Sequence, residues 1–156
     1  NPDGYVPALV MNDGDVLTEG PAIVQYLADQ AAEKGLAPPL GSRERYHLMQ
    51  WLNFISTELH KTYAALFDPR VQPDCKALFT ERLTQRFAHV AAVLETQPYL
   101  MGERFTVADA YLFTVSSWAP YVGFDLSPWP ALTAYQGRVA ARPAVQQALA
   151  EEGLLK

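Results

Sequence analysis

The sequence predicts an α+β fold that is mostly α, a short β-β-α unit followed by an all-helical bundle. Three observations carry this reading. A hairpin pattern near the start leads into a helix, a Pro- and Gly-containing break covers residues 35–42, and only helical periodicity recurs beyond it. With 156 residues, 49% of them hydrophobic and 19% charged, the chain can bury a core of its own.

Each element has a local cause. Residues 8–11 form a short apolar run, Asn12-Asp13-Gly14 carries turn chemistry, and residues 15–17 resume extended structure, which together make a hairpin. Residues 21–29 place Ile23, Tyr26 and Leu27 at helical spacing, with Pro21 suited to a first helical turn. Pro38, Pro39 and Gly41 then break the periodicity, dividing the chain into a first unit at 1–34, a linker at 35–42 and a helical unit at 43–156. In that unit the first long helix spans 42–67, with Leu48, Leu52, Ile55, Leu59 and Leu66 on its core face. A second helix at 74–97 is bounded by Pro73 and Pro98, and a third runs over 106–121. Two shorter helices follow at 130–141 and 143–152, with Pro143 ending one and opening the next. Five helices make the bundle.

A strand so close to residue 1 is expected to need an earlier partner, because an isolated hairpin is marginal in water. The reading therefore expects part of the first unit to lie upstream.

Composition removes several function classes. The net charge is −5 and no cluster of Lys and Arg with interleaved aromatics occurs, so neither nucleic acid nor an anionic membrane is an expected partner. No apolar run approaches the ~20 residues that span a bilayer. The single cysteine, Cys75, allows no internal disulfide, which suits a reducing, cytoplasmic setting, and it is expected to be a small, partly buried residue. No Cys/His set has metal-ligand spacing, no Gly-rich phosphate loop precedes a helix, and no nucleophile elbow occurs; no metal is expected.

Thr106-Val107-Ala108-Asp109 has the form of a capping box, with Phe105 placed to staple over Ala110. Both Thr106 and Asp109 are read as structural. At the other end of the chain, Glu19 and Gly20 stand where strand gives way to helix, so unpaired amides and the positive end of a helix dipole face outward. An anionic group is favoured there. Glu19 itself reads equally well as a helix-capping acid or as a carboxylate for a ligand ammonium. On the first long helix, Asn53, Thr57, His60 and Ala64 recur four, three and four residues apart. Their stripe lies roughly 150° from the core face, and its short polar groups beside Tyr46, Met49 and Phe67 suit a cleft wall. His60 is the member whose protonation changes near neutral pH, whereas His47 and His89 are expected to be exposed.

The strings PALVMNDGDVLTEGPAIVQYLAD, WLNFISTELHK, GERFTVADAYLF and ARPAVQQAL, in this order, resemble the bacterial beta-class glutathione transferases over nearly the whole chain. The resemblance implies the C-terminal half of a thioredoxin-like, glutathione-binding domain followed by an all-helical domain that supplies most of the second-substrate pocket. It implies that the cysteine or serine contacting the glutathione sulfur, and a lysine that helps hold the tripeptide, belong to elements preceding residue 1. It also implies a cis Val6-Pro7 bond, with the Val6 backbone paired to the cysteinyl part of glutathione. By the same resemblance Glu19 and Gly20 hold the γ-glutamyl end, although the family more commonly has serine at the Gly20 position. His60 stabilises the thiolate, and Asn53 and Thr57 contact glutathione or a neighbouring subunit of a homodimer. The implied activity is conjugation of glutathione to a hydrophobic electrophile, a detoxification chemistry, with little activity expected of this chain alone. The same fold also serves as a non-enzymatic interaction module. Retention of Glu19, Asn53 and His60 favours the enzyme.

Overall fold

A computed structural model describes residues 4–155. Strand β1 (Ala8–Val10) pairs antiparallel with β2 (Val16–Thr18), Leu9 opposite Leu17. Between them Met11 N–H donates to the Asp15 carbonyl at 2.8 Å, and Gly14 closes the turn at φ 87, a value that a residue with a Cβ adopts only under strain. Helix α1 (Gly20–Gln30) follows at once, with Pro21 in its first turn. It buries Ile23 and Ala28, while Leu27 points outward, so its inward face is turned from the one that Ile23, Tyr26 and Leu27 suggest.

The linker is held at both ends. Leu36 accepts from the Val107 amide at 2.9 Å, and the Ser42 hydroxyl caps α2 (Arg43–Phe54) by accepting from the Arg45 amide at 3.1 Å. Beyond α2 the rod continues without a break in backbone sense, but not as α-helix: Ile55–His60 is π-helical, and α3 (Lys61–Phe67) resumes the regular turn. The Lys61 amide reaches back five residues to the Ser56 carbonyl, the i→i+5 bond of a π-helix. The single helix read over 42–67 is thus one rod of three segments.

Helix α4 (Pro73–Leu94) ends before its read limit of residue 97, and α5 (Val107–Ser116) stops short of 121, where a 3₁₀ turn at Ala119–Val122 takes over. Helices α6 (Pro130–Ala140) and α7 (Pro143–Glu151) complete the bundle. Leu48, Leu52, Ile55, Leu59 and Leu66 are buried, as their spacing requires, against Leu83, Phe87 and Val90 of α4 and Leu112 and Val115 of α5. Tyr63 joins them at full burial, and its hydroxyl is left without a hydrogen-bond partner among aromatic neighbours.

One expectation fails on a detail of packing. Cys75 is exposed, not partly buried, because the first turns of α4 project beyond the core that its second half builds. Phe105 lies edge-on to Tyr99 and carries the guanidinium of Arg142, the residue before α7, 4.0 Å above its ring. Asp109 is fully buried and does more than cap. Its Oδ2 accepts from the Thr106 amide at 2.8 Å and the Thr106 hydroxyl at 3.0 Å, while Oδ1 accepts from the Leu100 amide at 2.9 Å.

Candidate active site

The residues singled out from the sequence lie at the end of β2, the start of α1 and the π-helical segment. Glu19 is the turning point. It is the one non-glycine with positive φ among the described residues, at φ 69 and ψ 110, a conformation that costs on the order of 1–3 kcal/mol. Although Glu19 occupies the N-cap position of α1, its side chain makes no capping hydrogen bond and the residue is exposed. Of the two roles left open by the sequence, capping is therefore not the one in use.

Fewer amides are open here than the helix start suggests. The Glu19 carbonyl accepts from Ala22 at 2.9 Å and Ile23 at 3.0 Å, and Pro21 has no N–H. Among the described residues the Gly20 amide alone is left without an acceptor in that turn. A Cβ placed on Gly20 would lie 3.7 Å from Cγ of Pro7, which sets the Val6-Pro7 step directly beside the head of α1. The Val6-Pro7 bond is cis, and Val6 is 87% exposed.

His60 lies on the rod, near enough for the charge of Glu19 to act on it. Its Nδ1 lies 2.7 Å from the Tyr111 hydroxyl of α5, and the Trp118 ring stands edge-on to the imidazole with centroids 4.7 Å apart. Flanking by these rings removes water, which lowers the imidazole pKa from 6.5, while the negative charge of Glu19 acts in the opposite direction. The same charge, added to burial, pushes the Tyr111 phenol up. Glu19 of the first unit is thus electrostatically coupled to two side chains of the helical unit. Tyr111 was invisible to the sequence reading, since it is 51 residues from His60 and resembles any core aromatic on a helix.

Asn53 and Thr57 are exposed on the same rod, and the Thr57 hydroxyl donates to the Asn53 carbonyl at 3.0 Å. Phe67 is 47% exposed and edge-on to Trp118, giving the cleft wall an aromatic surface beyond His60. His47 and His89 are exposed; His89 stacks on Trp51. Among the described residues no group of three or more His, Cys, Asp and Glu converges as a metal-ligand set.

A hollow of about 730 Å³ lies at the opposite end of α1, between Asp29, Pro38, Leu40, Glu44, Met101 and Arg104. None of the residues singled out from the sequence as ligand-binding lines it, and its Asp29 carboxylate is already neutralised by Arg45 at 2.7 Å.

The chain matches the family model described as "Glutathione S-transferase, C-terminal domain" over residues 54–143, and that of the N-terminal domain over residues 1–35. It is 45% identical over 154 residues to "Glutathione S-transferase GstA" of Escherichia coli O157:H7, covering 99% of this chain and 77% of that protein. Among solved structures it superposes on the ternary complex of BphK, a bacterial GST, with TM-score 0.96 and 57% identity, over 98% of this chain and 76% of that one. A sphingomonad glutathione S-transferase complexed with glutathione matches at TM-score 0.94 and 44% identity, over 99% of this chain and 77% of that one. The hairpin and α1 correspond to the thioredoxin-like part of that architecture and the remaining helices to its helical part, so this chain belongs to the bacterial glutathione S-transferases.

Proposed function

We propose that the chain binds glutathione between Val6, Glu19, Gly20 and the rod bearing His60, and that its thiolate is conjugated there to an apolar electrophile. The observation that carries this is Glu19: a strained backbone holds its carboxylate free of capping, beside an open Gly20 amide and in the field of His60. A γ-glutamyl group offers a carboxylate to that amide and an ammonium to that carboxylate. Val6, exposed two residues before β1, suits backbone pairing with a short peptide.

The reaction is a nucleophilic transfer. The thiol loses its proton to solvent, the thiolate sulfur forms a new bond to the electrophilic carbon, and a leaving group departs with the bonding pair. His60 stabilises the thiolate by donating a hydrogen bond to it, lowering the thiol pKa. The aromatic surface of Trp118 and Phe67 favours an apolar second substrate. Asn53 and Thr57 contact glutathione or a second copy of the chain, a reading supported by exposed Tyr46 and Met49 on the same side of the rod. In this view residues 1–34 are the glutathione-binding unit, 35–42 the linker and 43–156 the helical domain.

Isothermal titration of the chain with glutathione tests the proposal. Saturable binding is expected, and Glu19→Gln should weaken it about tenfold or more through loss of a charged hydrogen bond. Absence of binding, or binding indifferent to that substitution, would overturn it.

A further inference from the structure

The contact between His60 and Tyr111 has a direction that follows from the groups around it. The Tyr111 hydroxyl carries one proton and can accept as well as donate. His60 Nδ1 lies 2.7 Å from it. Burial keeps the phenol protonated. Between a protonated phenol and a neutral imidazole, the phenol O–H is the stronger donor and the bare ring nitrogen the stronger acceptor, so the phenol proton points to Nδ1. His60 then accepts at Nδ1, and a neutral ring must carry its own proton on Nε2. Nε2 has no hydrogen-bond partner among the described residues.

The π-helical segment is what permits this. His60 closes the π-helical Ile55–His60, and from there its Nδ1 reaches the Tyr111 oxygen of α5. π-Turns recur at functional sites because they re-aim side chains that a regular helix would splay.

We propose that Tyr111 is a positioning residue that fixes His60 as the Nε2–H tautomer. The donor is thereby presented to the open side of the ring before any ligand arrives. The charged and titratable groups facing the imidazole are Glu19 from the head of α1 and Tyr111 from α5; Trp118 closes a third side without a charge. The purpose of the arrangement rests on the glutathione reading, since a thiolate is the acceptor that Nε2–H would serve. Its measurement does not.

Long-range ¹H–¹⁵N correlation spectra of the ¹⁵N-labelled chain at a pH where His60 is neutral report the tautomer directly. The wild type is expected to favour Nε2–H by about tenfold, the scale of one net hydrogen bond. Tyr111→Phe should bring the ratio to within about threefold of even. An Nδ1–H or evenly mixed wild type overturns the proposal even if Tyr111→Phe does not fold. So does a folded Tyr111→Phe variant, checked by circular dichroism, whose tautomer ratio is unchanged. A tautomer fixed as described in a chain that binds no glutathione would sustain the positioning role while removing the glutathione reading.

Discussion

Arg45 grips Asp29 with both terminal guanidinium nitrogens, at 2.8 and 2.7 Å, across the linker that joins the two units. Its remaining donors are also engaged, Nε to Gln25 at 3.1 Å and Nη1 to the Pro38 carbonyl at 3.0 Å. One side chain therefore fixes α1, the linker and α2 against each other, and with them the distance between Glu19 and His60. The Arg45 hydrogen bonds hold the Asp29 carboxyl below its ordinary 3.8. The stability this gives is present above that value and is lost as the pH falls through the lowered folded one.

Replacing Arg45 with Ala should cost about 3 kcal/mol, the lower edge for breaking a buried pair, because Asp29 remains a third exposed and can recover water. Arg45→Lys should recover little, since an ammonium cannot fork onto both carboxylate oxygens and also reach Gln25. Urea unfolding of the three proteins measures this. Equal stability of wild type and Arg45→Ala would show that the pair does not tie the units.

Glu19 sets stability against ligand binding. Glycine adopts its φ of 69 without steric cost, so Glu19→Gly is expected to raise stability by about 1 kcal/mol. The same change removes the carboxylate and should reduce glutathione affinity by about tenfold. A higher urea midpoint with weaker binding is the expected pair of results; a lower midpoint would mean that the Glu19 side chain supports the fold.

Gly20 offers the reverse test. Its φ is not positive, and an added Cβ would meet Pro7 at an ordinary contact distance of 3.7 Å, so Gly20→Ser should fold without rearrangement. The hydroxyl would sit beside the open Gly20 amide and add one donor for the γ-glutamyl carboxylate. Glutathione is expected to bind about three- to tenfold more tightly, the range of one net hydrogen bond. Titration calorimetry decides it, with unchanged affinity counting against the placement of that carboxylate.

Local rules made the hairpin, the helix ends at Pro21, Pro73 and Pro143, and the Leu48 to Leu66 core face legible, because each depends on neighbours within a few residues. The cleft was legible only in its separate halves. Glu19 and Gly20 announced a helix start and His60 a polar stripe, but their coupling depends on how α1 packs on the rod. Arg45 lies in the first turn of a helix and reads as surface until Asp29 is placed beside it. The π-helical segment leaves no periodic mark, since Ile55 and Leu59 suit the core of either helix type.

Asp109 tests how far a capping motif understates a buried carboxylate. A cap alone is worth ~1 kcal/mol, but removing this side chain also leaves the Leu100 and Thr106 amides buried without acceptors. Asp109→Ala should therefore cost about 3 kcal/mol or more. Asn offers one acceptor where two backbone donors converge, so Asp109→Asn should recover only part of that loss. Burial raises the Asp109 pKa above 3.8, against the hydrogen bonds from Leu100 and Thr106 that lower it. The folded state then binds a proton more readily than the unfolded chain, so the advantage of wild type over Asp109→Asn should grow as the pH falls towards 3.8. Taking the difference between the two proteins cancels the other carboxylates. Urea melts at neutral pH and just above pH 4 provide the measurement. A difference that shrinks with acidity would mean that the hydrogen bonds outweigh the loss of hydration, and that the carboxylate is held in its charged form.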